Sequence, residues 1–125
     1  MPKRIQLTTQ ERRIRVYRAR NRNLRAMGFK DYKEYLESDL WKGIRKRVLT
    51  INPNCVGCGE RAWQVHHSVY RKKDLEGQDL RALFSVCGNC HKYTEFNRSG
   101  EKMHPKQATT KLKQLATLIK KGSHA

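Results

Sequence analysis

Two C-x-x-C pairs, Cys55-Val56-Gly57-Cys58 and Cys87-Gly88-Asn89-Cys90, constrain this chain more than any other feature. They use all four cysteines and leave none over. Each pair holds a glycine, which lets the backbone turn tightly around a metal. Four thiolates at such spacings make a closed tetrahedral zinc site of the structural type. A redox pair would need only one such motif, in a thioredoxin-like setting. The pairs are separated by 28 residues, more than a simple zinc ribbon needs. A core of about sixty residues buries little apolar surface, and a metal staple compensates for it.

The 125 residues suffice for one modest domain, and they carry 28 Lys+Arg against 11 Asp+Glu, a formal charge of +17. Such a charge on so short a chain implies an anionic partner, with nucleic acid first. A membrane is not expected, since no apolar run approaches the ~20 residues that span a bilayer. The opening "MPKRIQLTTQ" has no apolar signal region. The expected compartment is the cytoplasm, where thiols stay reduced and serve as metal ligands rather than disulfides.

Basic helices are expected at both ends. Residues 1–30 hold ten basic side chains and one acid, Glu11. Thr8 and Glu11 fit a capping box. Ile14, Tyr17 and Leu24 form a narrow apolar stripe, and Gly28 is the stop. Arg12, Arg13, Arg15, Arg18, Arg20, Arg22 and Arg25 surround that stripe. They read either as a solvated face or, with few acids to pair with, as a phosphate-facing arm. A second helix begins at a cap on Ser38 or Asp39 and runs to about Leu49, with Leu40, Trp41, Ile44 and Val48 on its buried face. Trp41 belongs to the core on this pattern, and Pro53 ends the segment. "RAWQVHH" and "LFSV" read as short extended pieces, residues 68–79 as a polar loop, and a helix begins near Cys90. The tail is another basic helix, with Leu112, Leu115 and Ile119 as its stripe and Gly122 as its stop.

His66 and His67 are adjacent in an extended piece. Neighbours there point in different directions, so they suit two different roles. The alternative is a pair of loop histidines. His91 follows Cys90 at a helix start, where one residue turns about 100°. Cys90 can face zinc while His91 faces a second site. Glu95, at i+4, shares the face of His91. Imidazole and carboxylate together could hold a hard divalent ion such as Mg²⁺, and the alternative for Glu95 is ordinary helix surface. Arg61, Arg71, Lys72 and Lys73 are candidates to clamp phosphates nearby.

The run "YLESDLWKGIRKRVL…CVGCG…VHHSVY…LEGQDLRALFSVCGNCHK" resembles the HNH endonuclease family, of the ββα-metal fold with a four-cysteine zinc. The resemblance covers roughly residues 35 to 98. It rests on the "YL.S..W" helix, both knuckles, the "HH..Y" element and the "C..CH" end. It implies that His66 binds the catalytic metal, that His67 is the general base, and that His91 is a second metal ligand. It also implies cleavage to 5′-phosphate and 3′-hydroxyl ends. The family's middle letter, usually Asn or Asp, falls near Ala82 here, and the loop after Tyr70 is about two residues longer than usual.

The expectation is therefore a small, mostly helical α+β protein, a ββα-metal core stapled by zinc and flanked by basic helices. Its parts are an arm (1–30), a nuclease core (31–100) and a C-terminal helix (101–125). The expected activity is metal-dependent hydrolysis of phosphodiester bonds in double-stranded DNA, by nicking or double-strand cleavage. A phage or mobile-element setting, with other proteins of that origin as partners, is implied by the resemblance alone. The rivals are a non-catalytic zinc-dependent DNA-binding module with a decayed site and a phage packaging accessory protein.

Overall fold

The computed structural model describes residues 6 to 122. Its elements, in order, are α1 (Thr9–Ala26), α2 (Tyr32–Leu36), α3 (Asp39–Ile51), β1 (Gln64–His67), α4 (Lys72–Leu75), β2 (Leu83–Val86), α5 (Gly88–Glu95) and α6 (Pro105–Gly122). The fold is a small α+β arrangement in which helices dominate and β1 pairs antiparallel with β2. The register sets Gln64 opposite Val86 and His67 opposite Leu83.

The helix ends follow local chemistry. Thr8 caps α1, its hydroxyl accepting from the Glu11 N–H at 3.1 Å. At the other end Gly28 takes φ +96°. Its N–H donates to Arg25 O, and the Phe29 N–H donates to Leu24 O at 2.9 Å. These two bonds satisfy the last carbonyls of the helix. Asp31 caps the short α2, and Ser38 caps α3 by accepting from Trp41 N–H. Helix α5 starts at Gly88, two residues before Cys90, because Cys87 itself is the cap: its sulfur accepts from Cys90 N–H at 3.3 Å.

Two apolar clusters hold these pieces together. The larger joins Leu24, Tyr35, Trp41, Ile44, Val48, Val65, Leu75 and Leu83. The smaller lies around the cysteines and adds Val86 and Leu112. Leu40, expected in the buried face of α3, is exposed instead, as are Ile14 and Ile119 in their stripes. Each lies on the solvent side of a helix whose packing face is narrower than the sequence pattern suggests.

The polar loop 68–79 is not structureless. It contains α4, organised by Asp74, a fully buried carboxylate. Asp74 accepts from the Arg71 backbone N–H and from its guanidinium Nε and Nη2 at 2.8–3.1 Å. Gly77 then turns with φ +76°, and a Cβ there would sit 2.6 Å from Ile44 Cγ1.

The terminal helices are packed on the core rather than projecting from it. Arg13 of α1 donates to the Lys102 carbonyl and pairs with Glu101 at 3.0 Å. The Tyr17 hydroxyl donates to Met103 O, and the Asn23 amide donates to Tyr70 O at 2.9 Å. The Arg20 guanidinium lies over the rings of Tyr17, Tyr32 and Tyr70, nearest Tyr32 at 4.0 Å. Helix α6 packs along α5.

Candidate metal centre and histidine cleft

The four cysteine sulfurs lie within 4.8 Å of one another. Cys58 Sγ and Cys87 Sγ are 3.7 Å apart. Zinc–sulfur bonds of about 2.3 Å in a tetrahedron set sulfurs roughly 3.8 Å apart, so the cluster has the dimensions of a zinc site. Backbone geometry shapes it. Gly57 N–H donates to Cys55 Sγ at 3.3 Å. A Cβ at Gly57 would stand 3.0 Å from Leu112 Cδ1 and 3.2 Å from Cys90 Sγ, so these neighbours would have to give by a few tenths of an ångström to admit one. Burial alone would raise the Cys55 thiol, but N–H donors of Cys58, Cys87 and Gly57 outweigh it and hold the group at about 7. The knuckle is docked on the hairpin, with Val56 N–H donating to Ser85 O and Trp63 N–H to Val86 O.

The pleat of β1 separates the two adjacent histidines. His67 turns toward Trp41, Tyr35, Tyr32 and Tyr70. His66 turns toward α5 and α6, its ring centroid 5.7 Å from that of His91 and its Nε2 2.8 Å from Thr109 Oγ1. Both histidines, with His91 and Glu95, nevertheless line one cleft of about 480 Å³, a size usual for ligand sites. Tyr17, Tyr32, Tyr70, Arg45, Gln64 and Lys102 line it too.

The histidines are held neutral. Burial, then the neighbouring His66, lowers His67 to about 3. Burial, then His91, lowers His66 to about 4. Burial also lowers His91, against the opposing pull of Glu95. Neutral imidazoles are the form that binds metals and accepts protons. His67 Nδ1 is 3.4 Å from the Tyr32 hydroxyl, while Nε2, buried, has no hydrogen-bond partner among the described residues.

The cleft donors do not form a closed group as the cysteines do. Among the described residues the cysteines alone make a compact set of ligand atoms. Glu95 pairs with the Lys102 ammonium at 3.3 Å, so a cation already faces this carboxylate. His91 Nδ1 is engaged by Gln64 Oε1 at 2.7 Å. Imidazole and carboxylate are donor types that suit a divalent ion, and here His66, His91 and Glu95 line one cleft in which a lysine supplies positive charge, without forming a compact ligand set.

The basic candidates differ in what they face. Arg12, Arg15, Arg18, Arg22 and Arg25 are exposed on α1. Arg13 and Arg20 turn inward, to Glu101 and to the tyrosines. Arg71 is tied to Asp74, Lys72 to Glu76 and Lys73 to Asp79. These three face acids in the loop, and Arg71 opens onto a different depression from the histidine cleft. Arg61 stacks 4.7 Å over the exposed Trp63. Ala82, at the slot that usually holds Asn or Asp, is buried, and its carbonyl accepts from Ser68 N–H at 2.9 Å.

The sequence reading missed Gln64, Lys102 and Thr109 as site residues. Gln64 had a signal, since it lies two positions before His66 on one face of the strand. Lys102 arrives through the turn that bridges Phe96 to Lys102, and Thr109 through tertiary packing, which no local pattern records. No family model matches this chain, and neither curated proteins nor solved structures give a match.

Proposed function

We propose that the chain is a metal-dependent endonuclease of the HNH type acting on DNA, with zinc in the cysteine cluster as a structural staple. The observation that carries this reading is the convergence of His66, His67, His91 and Glu95 on one cleft beside the cysteines. In it, His66, His91 and Glu95 would hold a divalent ion, which when bound would supply positive charge to a phosphodiester. The neutral His67 takes a proton from water, the resulting hydroxide attacks phosphorus, and the bond from phosphorus to the 3′-oxygen breaks, that oxygen leaving as the 3′-hydroxyl once it is protonated. Tyr32, next to Nδ1, keeps the ring oriented. The exposed arginines of α1 bind flanking phosphates.

A specific observation favours the rival, a binding module without catalysis. Glu95 is engaged by the Lys102 ammonium, so a cation already faces one of the proposed ligands. One experiment separates the two. Supercoiled plasmid is incubated with the zinc-loaded protein and Mg²⁺ or Mn²⁺, alongside His67→Ala. Metal-dependent nicking that the variant loses supports the nuclease. DNA binding without nicking by the unaltered chain in either metal overturns it.

A further inference from the structure

Helix α6 carries three threonines whose hydroxyls donate to the carbonyl four residues back: Thr109 to Pro105 O at 2.8 Å, Thr110 to Lys106 O and Thr117 to Lys113 O. Such back-bonding is common and usually inert. Thr110 and Thr117 do it at the surface. Thr109 does it while buried, and His66 Nε2 stands 2.8 Å from the same oxygen.

A hydroxyl has one proton. With that hydroxyl donating to Pro105 O, the Thr109 oxygen is an acceptor toward the imidazole. This arrangement puts the hydrogen of His66 on Nε2 and leaves the lone pair on Nδ1. His91 shows the same logic in reverse. Its Nδ1 faces the carbonyl oxygen of Gln64 at 2.7 Å, so the proton sits on Nδ1 and the lone pair on Nε2. Two imidazoles 5.7 Å apart are each left with one free donor atom and an oxygen behind the other. An oxygen acceptor behind a histidine fixes its tautomer and raises its strength as a metal ligand.

We propose that Thr109 is a positioning residue: it holds His66 in the Nε2-protonated form and thereby offers Nδ1 to a divalent cation in the cleft. The cation's role rests on the proposed function, while the tautomer rests on the hydrogen bonds alone. The C-terminal helix is, on this account, part of the site as well as a basic surface.

The test uses the full, zinc-loaded chain. Long-range ¹H–¹⁵N spectra at pH 8, without added divalent metal, should show His66 as the Nε2–H tautomer. Thr109→Val, nearly the same shape, should erase that preference, and Thr109→Ser should restore it. Mn²⁺ titrated by calorimetry should bind the Val variant about 10–100-fold more weakly and the Ser variant as the unaltered chain does. An Nδ1–H tautomer in the unaltered chain overturns the relay whatever the protein does to DNA. The Nε2–H tautomer without Mn²⁺ binding overturns the ligand role and the metal-dependent function together. Equal Mn²⁺ affinity in the Val and unaltered chains overturns the positioning role while leaving the nuclease reading intact.

Discussion

The imidazole of His67 lies against the indole of Trp41, ring centroids 4.8 Å apart and planes 29° from parallel. Tyr70 covers another side at 5.2 Å. A ring clamped this way keeps one orientation, which a general base needs. It also loses its hydration, which is why it stays neutral well below the usual histidine range.

The first prediction concerns that ring. His67→Ala should lower metal-dependent cleavage by about 10²–10⁴-fold and leave affinity for uncleaved DNA within a few-fold. Because the side chain is buried among aromatics, the variant should also melt several degrees lower. His67→Phe should recover the melting temperature but not the cleavage. Plasmid nicking and thermal unfolding of both variants check this, and nicking by His67→Phe at the unaltered rate would remove His67 from the chemistry.

Stability should fall in mild acid. His66 and His67 titrate near 4 and 3 in the folded chain, against about 6.5 when unfolded. Between roughly pH 4 and 6.5 the unfolded chain binds protons that the folded chain refuses. Stability therefore rises with pH through this window and levels above it. Each histidine contributes on the order of 1 kcal/mol per pH unit where the difference is complete. Thermal unfolding between pH 5 and 7.5 should show a shallower slope for His67→Phe than for the unaltered chain. Cysteine protonation and zinc release affect both proteins alike, so identical slopes would contradict the burial argument.

The cysteine cluster was legible because its chemistry is written in spacing alone. The caps at Thr8 and Ser38, the stop at Gly28 and the buried Trp41, Ile44 and Val48 were legible for the same reason: they depend on residues within a turn or two. Part of what could not be read was long-range. Nothing in a run of arginines distinguishes Arg13 and Arg20, which turn to Glu101 and the tyrosines, from Arg15 or Arg22, which do not. The buried Asp74 that converts a polar loop into α4 looks like any other loop acid. The Lys102–Glu95 pair is closed by a tight turn over residues 97–101, in which Phe96 bridges Lys102 and the Met103 N–H donates to Glu95 O at 2.7 Å, and the sequence reading did not pick out that turn.

The knuckle should tolerate neither a lost ligand nor an added methyl. Cys87→Ser should release bound zinc and abolish cooperative unfolding, because structural zinc contributes folding free energy. Gly57→Ala keeps all four thiolates but places a Cβ 3.0 Å from Leu112 Cδ1 and 3.2 Å from Cys90 Sγ. Overpacking of this kind costs about 1–3 kcal/mol. Zinc content by metal analysis and thermal melting distinguish the two effects. A Cys87→Ser protein with stoichiometric zinc and an unchanged melt would rule out the four-thiolate site.

The last prediction separates the two sets of arginines on α1. Arg12, Arg15, Arg18, Arg22 and Arg25 are exposed, whereas Arg13 and Arg20 join the helix to the core. If the exposed set faces phosphates, DNA binding releases condensed counterions, and log affinity falls with log salt by about 0.9 per phosphate neutralised. Changing the five exposed arginines to Gln should flatten that slope by several units and weaken binding across all sequences. The melting temperature should hardly move. Arg20→Gln should do the opposite: it removes the guanidinium stacked on Tyr17, Tyr32 and Tyr70, so the melt should drop while the slope stays within one unit. Deleting residues 1 to 28 would confound the two effects, since it takes away Leu24 from the core and the Asn23 bond to Tyr70 beside the cleft. Affinities at four or more salt concentrations, with a melting curve for each variant, provide the comparison. A slope unaltered by the five-fold change would mean that this face of α1 does not meet phosphates.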